Sequence, residues 1–348
     1  MIEFLRIISS PLAFLYAVII RIRNFLFEKN FFHAAKVNAK VISIGNITVG
    51  GSGKTPAVLM LGEMLKAYGK KIGVLSRGYG RNSFGYVLVS NGNEIESSVD
   101  KCGDEIILVA EELKIPAAVC EKRAKGAAQL VKDTSVDTIV LDDAFQHRWI
   151  HRNLDIVLVD QRFLNKVDFV EQNPIPLGMM REPFESLDRA DIIIINRKFS
   201  ERTEIPEKLK KYFSSKEIFY GFYSSQGIFD VKSHNSFPLE DFQGQKSLVV
   251  CGIAKPHSFL SVLENNKIDI TNKLLYPDHA NYSTAEVQEI RKMFYDTNSH
   301  SVLTTHKDAV KLTNFRKELD DIDIYFLKIA LKIEEQERFN KLVLGSLE

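Results

Sequence analysis

The sequence contains little cysteine and almost no excess charge of either sign. Its 348 residues include three cysteines, Cys102, Cys120 and Cys251, which are widely spaced and form no CxxC pair or His/Cys cluster. An odd number with this spacing argues against a disulfide framework or a zinc site and favours a reducing compartment. The net charge of +1 shows no basic footprint for nucleic acid. We therefore expect a globular protein with no nucleic-acid partner.

The N-terminal region lacks the run of about 20 apolar residues that a membrane-spanning helix needs. Residues 7–20 carry no charge, with Arg6 before them and Arg21 and Arg23 after them. A signal peptide would have a small-residue cleavage site after this run, and arginines follow instead. We interpret residues 1–32 as a membrane-associated helix that lies in the interface with its arginines at the lipid headgroups. A buried core helix and a full span are the alternatives.

Short apolar runs alternate with longer amphipathic segments from residue 40 onward. Nearly continuous apolar strands between helices indicate an α/β fold with a parallel sheet covered by helices on both faces. Strands are predicted at 40–45, 71–75, 86–90, 116–119, 137–141, 154–159, 191–195, 247–251, 301–304 and 323–328. Helices are predicted at 54–68, 103–113, 122–133, 203–212, 256–265 and 284–297. We divide the chain into a core lobe at 33–212, a β-rich linker at 213–246 and a second, smaller α/β lobe at 247–348.

A glycine-rich segment joins the strand predicted at 40–45 to the helix predicted at 54–68. It has the sequence Gly50-Gly51-Ser52-Gly53-Lys54-Thr55. This matches the phosphate-binding loop of P-loop NTPases, except that Thr48 stands where the strict pattern has its first glycine. In such a loop the backbone N–H groups turn toward phosphate oxygens, the lysine reaches the β- and γ-phosphates, and the threonine offers its hydroxyl to Mg²⁺. We therefore predict a P-loop NTPase-like fold that binds ATP at these six residues, with a plain turn as the alternative.

Two acidic residues follow the strand predicted at 137–141. Asp142 and Asp143 are expected at the carboxyl edge of the sheet, where ligands of open α/β folds collect. Carboxylates in this position hold Mg²⁺ in P-loop enzymes, directly or through water. The alternative is an ordinary helix cap. Together with Thr55, the two aspartates form the predicted metal site.

Further short motifs follow one another along the chain. They lie at 45–56, 76–80, 103–105, 142–147, 154–157, 181–183, 276–279 and 304–311. In this order they resemble the motifs of the tetraacyldisaccharide 4'-kinase family of lipid A biosynthesis, so the resemblance covers most of the chain. The chain departs from the family at Ser52, Met180 and His306, where Thr, Leu and Glu are usual. Because the last change removes a carboxylate, we assign His306 no role.

The resemblance implies an enzyme that uses ATP and Mg²⁺ to phosphorylate the 4'-hydroxyl of a tetraacyldisaccharide 1-phosphate lipid A precursor. It makes Asp104 the candidate base, with His279 supporting it from the second lobe, and Lys54 a further catalytic residue. The alternative for Asp104 is a helix cap, because it stands at the start of a predicted helix. His279 alone could be an ordinary polar histidine beside a turn.

Several other polar residues in the matching motifs are candidates for substrate or metal contacts. Arginines can bind a phosphate or a headgroup through bidentate hydrogen bonds. Glu182 is a candidate for a direct or water-mediated metal contact. The candidates for substrate binding are Arg77, Arg81, Arg123, Gln146 and His147. The alternatives are a solvated loop for the arginines and structural support for Gln146 and His147.

Three other classes of protein compete with the kinase. A P-loop GTPase would need Asn-Lys-x-Asp after a sheet strand, and Asn196-Arg197-Lys198-Phe199 lacks the aspartate. A dehydrogenase-like Rossmann protein fits Lys54-Thr55 less well than a phosphate and Mg²⁺ site does. A nucleotide-binding membrane module that acts as a switch would not need a base. We expect a peripheral protein on the cytoplasmic face of a bacterial inner membrane, with no obligate protein partner.

Overall fold

Buried aliphatic strands and amphipathic helices alternate through the first half of the chain. The computed structural model describes residues 2–166, 170–253, 255–278, 280 and 282–348, with side chains from residue 10 onward. The strands of this half are β1 (Lys40–Asn46), β2 (Ile72–Ser76), β3 (Val87–Asn91), β4 (Pro116–Val119), β5 (Thr138–Leu141), β6 (Leu154–Asp160) and β7 (Ile192–Lys198). The helices are α1 (Ile2–Glu28), α2 (Lys54–Ala67), α3 (Val99–Cys102), α4 (Asp104–Leu113), α5 (Arg123–Thr134) and α6 (Gln161–Leu164). All seven strands predicted here lie within a few residues of their expected positions.

The second half continues the pattern with longer strands. Its helices are α7 (Glu207–Lys210), α8 (His257–Asn265), α9 (Thr284–Asp296), α10 (His306–Leu312) and α11 (Gln336–Gly345). Its strands are β8 (Glu217–Asp230), β9 (Ser236–Phe237), β10 (Lys246–Cys251), β11 (Asp269–Leu275), β12 (Ser301–Thr305) and β13 (Ile324–Ile333). The helix predicted at 203–212 shortens to α7, because Pro206 disfavours a helical conformation in the residue before it. Strand β11 was not predicted, because polar residues interrupt its apolar pattern.

One mixed sheet connects all of these strands. Its order is β11-β10-β12-β13-β8-β7-β6-β1-β5-β2-β4-β3, with β9 added to β8. Neighbouring strands are parallel except in the pairs β3–β4, β8–β9 and β8–β13. The predicted α/β fold is therefore confirmed, and the sheet that was predicted as parallel is mostly parallel, with these three antiparallel pairs.

Strand β8 changes our picture of the segment predicted as a linker. It has 14 residues and pairs in parallel with β7 on one side and antiparallel with β13 on the other. The sheet consequently runs without a break from the first half of the chain into the second. Because Ser, Gln and Gly residues occupy the middle of β8, the segment has no continuous apolar run, and a strand of this length was not predicted. The division into two lobes and a linker stays a prediction.

Helix α1 presents two different faces. One face packs on the rest of the protein and buries Ala13, Ala17, Ile20, Asn24 and Phe27. Residues on the opposite side are more than half exposed although they are large and apolar: Leu12, Phe14, Leu15, Ile19, Ile22 and Phe25. By length and composition alone, Ser10–Glu28 could cross a membrane, a test that core helices and signal sequences also pass. The predicted N-terminal apolar helix is thus present, and its location in a membrane stays a prediction.

Candidate active site

The glycine-rich segment forms a tight loop between β1 and α2, at the carboxyl edge of the sheet. Gly53 caps the helix with a φ of 96°, in the left-handed region that favours glycine. A Cβ at this position would lie 2.3 Å from Nδ2 of Asn196 and 2.4 Å from the hydroxyl of Tyr223. Both the backbone conformation and the neighbouring side chains therefore disfavour any residue other than glycine at this position. The N-terminus of α2 is free to face an anion, as in known phosphate-binding loops.

Two residues at the end of β7 bind carbonyl groups of this loop. Asn196 Nδ2 donates to the Ser52 carbonyl at 3.0 Å, and Lys198 Nζ donates to the Gly51 carbonyl at 2.9 Å. Lys198 also pairs with Asp160 at 2.9 Å. With their carbonyls bound by these side chains, the peptide units can turn their N–H groups toward a phosphate. Sequence reasoning missed this support, although Asn196 and Lys198 lie in the segment that we inspected for guanine recognition.

Asp142 lies at the end of β5 and is almost fully buried. Its Oδ2 accepts from the Ser76 hydroxyl at 3.2 Å, while its Oδ1 has no hydrogen-bond partner among the described residues. Burial and the carboxylates of Glu105 and Asp143 raise the pKa of Asp142 to about 7. An acid that is buried beside other acids, with an unused oxygen, is typical of a cation site.

Asp143 connects the acids with the phosphate-binding loop. Its backbone has a φ of 48°, an uncommon conformation for a residue other than glycine and one that often occurs at functional sites. The carboxylate lies 3.7 Å from Lys54 Nζ, and both of its oxygens accept from Arg181 Nη1 at 2.9 Å. Burial opposes ionisation, but Lys54 and Arg181 outweigh it and hold the pKa of Asp143 below its usual value. Arg181 was not among our predicted site residues, although it stands in a matching motif.

Glu182 lies elsewhere, beneath helix α1. It is fully buried, and Arg23 Nη2 binds one carboxylate oxygen at 3.0 Å. The other oxygen accepts from Asn24 Nδ2 and Arg189 Nη2, each at 2.9 Å. Because these partners occupy both oxygens, the geometry argues against the metal contact that we predicted for Glu182. The carboxylate instead fastens α1 to the segment that follows Arg181.

Asp104 is the first residue of α4 and is buried at 4% exposure. Its Oδ1 accepts from the N–H of Glu105 at 2.9 Å, and its Oδ2 lies 3.0 Å from Lys311 Nζ. Asp104 therefore caps the start of its helix in part, yet it also faces the second half of the chain. His279, its predicted partner, lies outside the described residues.

The predicted substrate residues fall into two groups. Arg81 and Arg123 are bound within the protein. Arg81 pairs with Glu121 and donates to the Gly85 carbonyl. Arg123 is 2% exposed and donates to the carbonyls of Cys120 and Asp142 at 2.7 and 3.1 Å. These contacts favour a structural role for both arginines. They do not fit the solvated loop that was the alternative.

The other three candidates lie closer to solvent. Arg77 is exposed in the loop after β2. Gln146 is half-buried and donates to the Asn46 carbonyl at 2.8 Å. Burial and the neighbouring arginines, Arg123 first among them, lower the pKa of His147 to about 4. His147 is therefore neutral near pH 7 and adds no fixed charge to this surface.

A cavity of about 570 Å³ joins the loop to the second half of the chain. It is lined by the loop from 49 to 56 together with the charged residues Glu105, Asp143, Arg181 and Lys198. The lining also includes apolar and aromatic side chains: Phe199, Tyr223, Ile253, Phe259, Leu327 and Ile329. Charged groups for phosphates and a flat apolar wall for a base are the two parts of a nucleotide site.

His306 also lines this cavity. Its ring stacks on Phe326 with centroids 4.3 Å apart. Burial lowers the pKa of His306 to about 4, so the imidazole is neutral near pH 7. The position that departs from the family thus brings no permanent charge to the cavity.

Taken together, the fold and this cavity define a P-loop nucleotide-binding protein of the α/β class. The family model described as tetraacyldisaccharide-1-P 4'-kinase, LpxK, matches residues 5–348. The chain belongs to this family, which confirms the resemblance seen in its motifs.

Individual relatives and a solved structure agree with this assignment. A protein named tetraacyldisaccharide 4'-kinase from Chlorobium phaeobacteroides is 31% identical over 98% of this chain and 97% of its own length. A protein of the same name from Halothermothrix orenii is 33% identical over 94% of this chain and 89% of its own length. The crystal structure of LpxK from Aquifex aeolicus in complex with ATP superposes with a TM-score of 0.81 at 30% identity. That match covers 99% of this chain and all of the other, and the switch alternative is not favoured.

Proposed function

We propose that this protein is a tetraacyldisaccharide 4'-kinase, which transfers the γ-phosphoryl group of ATP to the 4'-hydroxyl of a tetraacyldisaccharide 1-phosphate lipid A precursor. The observation that carries the proposal is the placement of Lys54 and the loop beside Asp142 and Asp143. Lys54, the loop and Asp143 line a cavity whose apolar and aromatic lining suits a nucleotide base. The match to an ATP-bound LpxK structure over nearly the whole chain supports ATP as the phosphoryl donor.

The residues around the loop fit a Mg²⁺ ion. Asp142 offers a buried oxygen without a partner among the described residues, Asp143 lies beside it, and Thr55 is the second residue of α2. Carboxylate and hydroxyl oxygens are the ligands that Mg²⁺ prefers. When bound, the ion would neutralise negative charge on the β- and γ-phosphates.

The remaining chemistry belongs to the protein itself. The substrate hydroxyl oxygen forms a bond to the γ-phosphorus, the bond from that phosphorus to the β–γ bridging oxygen breaks, and ADP leaves. Lys54 and the loop amides would stabilise the charge on the transferred group, since this reaction depends mainly on positioning and charge neutralisation. The hydroxyl proton passes to Asp104 as the base, with His279 as its support.

The lipid substrate requires access from a membrane. The exposed apolar side of α1 suits insertion into the interface, with Arg21 and neighbouring cations at the headgroups. Arg77 is available for a substrate phosphate because it is exposed and follows β2. Strand β2 is the neighbour of β5, which Asp142 and Asp143 follow. We place the protein on the cytoplasmic face of the bacterial inner membrane as a peripheral enzyme, where ATP is present.

Phosphate transfer from γ-labelled ATP to purified tetraacyldisaccharide 1-phosphate in detergent micelles tests the proposal. Wild type should label the lipid, and Lys54→Ala should lose most of the rate. Lys71→Ala, which removes an exposed lysine just before β2, is the matched control and should behave as wild type. A folded wild-type protein that binds ATP but never labels the lipid would overturn the kinase assignment and favour a nucleotide switch.

A further inference from the structure

The single tryptophan of the chain lies at the surface, beside the end of helix α1. Trp149 belongs to the loop that joins β5 to β6 and is 47% exposed. Its ring packs edge-to-face on Phe27 with centroids 4.9 Å apart, and it lies 5.1 Å from the ring of Phe32. Phe27 and Phe32 also contact each other, at 5.2 Å. Three aromatic rings from two separate segments of the chain therefore form one cluster, and the tryptophan is its most exposed member.

Backbone and side-chain contacts fix this loop against α1 and the segment that follows it. The Ala35 N–H donates to the Trp149 carbonyl at 3.0 Å, and the His151 N–H donates to the Ala35 carbonyl at 2.9 Å. Arg148 donates to a carbonyl of α1 at 3.1 Å, and its guanidinium lies 4.8 Å from the centroid of the Phe27 ring. These contacts hold Trp149 at a set position relative to the end of α1.

Two further aromatic side chains are exposed around the same end of the helix. Phe25 lies on the exposed apolar side of α1 and is 52% exposed, and Phe31, just after the helix, is 69% exposed. The Phe31 N–H donates to the Leu26 carbonyl at 2.9 Å, so the chain stays close to the last turns of α1. We call Phe25, Phe31 and Trp149 the aromatic patch. Several large apolar side chains exposed around one helix end are typical of an interaction surface.

Positive charges outnumber negative ones in the sequence around the aromatic patch. Arg21, Lys29 and Lys36 are exposed. The only acid in the sequence from 21 to 36 is Glu28, which lies 3.9 Å from an arginine of the tryptophan loop. Exposed cations beside exposed aromatic rings fit the interface of a bilayer that contains anionic lipids, where the cations meet the headgroups and the rings reach the upper part of the acyl chains.

We propose that Trp149 is a second membrane contact of this protein, which enters the interface of an anionic bilayer beside α1. This inference rests on the proposed membrane location. Tryptophan prefers the headgroup level of a bilayer because its ring is apolar and its N–H is polar. A bilayer offers apolar chains and anionic headgroups along the whole of α1, whereas a protein partner would need a groove of matching length.

The position of Trp149 in the chain gives this contact a consequence for the active site. Asp143 and Trp149 belong to the same connection between β5 and β6. A membrane contact in this connection therefore limits how far Asp143 and its neighbours can move from the lipid surface. The contact orients the site toward a substrate that stays in the bilayer.

Because Trp149 is the sole tryptophan of the chain, its own fluorescence reports on the proposed contact. Wild-type protein is mixed with vesicles of phosphatidylcholine and phosphatidylglycerol, and binding is measured separately by sedimentation. We expect a blue shift of the emission maximum on binding. Quenching should be stronger with lipids brominated near the glycerol end of the acyl chain than with lipids brominated near its methyl end. Both signals should weaken at high salt, since screening reduces the attraction to anionic headgroups.

Three results would each overturn the inference, and they can be told apart. Sedimentation with the vesicles at unchanged emission would remove Trp149 as a contact and leave α1 as the membrane-binding element. A protein that phosphorylates lipid in micelles but does not sediment with vesicles would lose its proposed membrane location, and this inference with it, but not its kinase activity. A blue shift that grows with protein concentration in the absence of vesicles would mean that a second copy of the chain covers the aromatic patch.

Substitution measures how much the contact contributes to binding. Trp149→Ala should lower the partition coefficient into the same vesicles about tenfold, the factor expected when one large apolar side chain is no longer transferred out of water. Tyr295→Ala is the matched control, since Tyr295 is similarly exposed, at 50%, but lies on α9 in the second half of the chain. It should partition as wild type does. Wild-type partitioning by a folded Trp149→Ala protein would contradict the inference.

The packing of Trp149 on two phenylalanines makes thermal melting of Trp149→Ala a necessary check of folding. If this variant does not fold, Phe31→Ser carries the test of the aromatic patch, because Phe31 is 69% exposed and Trp149 remains as the fluorescent reporter. We expect Phe31→Ser to weaken partitioning and to reduce the blue shift at a given lipid concentration. No change in either quantity would count against the aromatic patch as a membrane contact.

Discussion

The acidic pair Asp142–Asp143 and the single acid Glu182 both stand in short motifs of the sequence, but they lie in different surroundings. Asp142 and Asp143 follow a strand; Asp143 lines the nucleotide cavity, and one oxygen of the buried Asp142 beside it has no partner among the described residues. Glu182 also stands in a motif of the family, but it is fully buried beneath α1, and both of its oxygens accept hydrogen bonds, from Arg23, Asn24 and Arg189. An acid with unused oxygens beside a cavity can bind something further, whereas a satisfied one cannot.

The charge states of the two sets show the same contrast. Burial and two neighbouring acids raise the pKa of Asp142 to about 7, so its site has more negative charge than it can stabilise alone. Burial also opposes ionisation of Glu182, but Arg189, Asn24 and Arg23 outweigh it and lower the pKa. The first site would gain from a cation, and the second already contains its cations. The comparison predicts that mutation at the first site lowers activity and leaves stability unchanged, whereas mutation of Glu182 lowers stability and leaves activity unchanged.

The largest effect is expected for Asp143→Asn. Without this carboxylate, Lys54 and Arg181 lose their partner and the predicted metal site loses a ligand. We expect kcat for lipid phosphorylation to fall on the order of 1,000-fold, the usual scale for a group that stabilises transition-state charge, while the thermal midpoint changes little. Asp188→Asn, at an exposed position, is the control and should match wild type in both measurements. A large loss of stability with normal kcat per folded molecule would invert the comparison.

Glu182→Gln should produce the reverse pattern. It leaves Arg23 and Arg189 without their buried partner, and breaking a buried ion pair from one side costs about 3 kcal/mol or more. We expect this loss in the free energy of unfolding by urea titration, with kcat per folded molecule close to wild type. Glu185→Gln, an exposed neighbour, should change neither quantity. A loss of kcat as large as that of Asp143→Asn, with normal stability, would restore Glu182 as a metal ligand.

The stability difference between wild type and Glu182→Gln should also depend on pH. Because the folded pKa of Glu182 is lowered, its contribution is fully present above the unfolded value of about 4.3. It should be lost as pH falls through the folded pKa, where the native carboxylate becomes protonated. Urea titrations of both proteins at several pH values below that unfolded value measure the change. A difference that stays constant in acid would mean that the ion pairs do not stabilise the protein.

The sequence predicted the parts of this protein that are local. The loop from Gly50 to Thr55 needs only a strand before it and a helix after it, and the paired aspartates need only the end of a strand. The support of the loop by Asn196 and the link from Lys311 to Asp104 join residues more than a hundred positions apart, so no local pattern reveals them. The contacts of Glu182 could not be predicted for the same reason, since its partners Arg23 and Asn24 come from the N-terminal helix, and its metal contact stays a prediction.

Arg181 lies between the two regions and allows a finer test. Its side chain binds Asp143, while the next residue, Glu182, binds α1. We expect Arg181→Met to lower kcat about tenfold, less than Asp143→Asn, because Lys54 still neutralises Asp143 and each charged hydrogen bond contributes a limited amount. Arg202→Met, at a half-exposed arginine, is the control in the same assay. If Arg181→Met instead reduces stability as much as Glu182→Gln does, the two regions act as one unit.

The smallest expected effect belongs to Tyr16→Phe on helix α1. The Tyr16 hydroxyl donates to the Arg181 carbonyl at 2.8 Å, which links α1 directly to the residue that binds Asp143. Removing one hydrogen bond of this kind should lower the free energy of unfolding by about 1 kcal/mol and leave kcat unchanged, because the Arg181 side chain keeps its own contacts. Urea titration and the lipid assay measure the two quantities on the same preparation. A clear fall in kcat without a change in stability would show that α1 controls the position of Arg181, and the separation between the two regions would then fail at this contact.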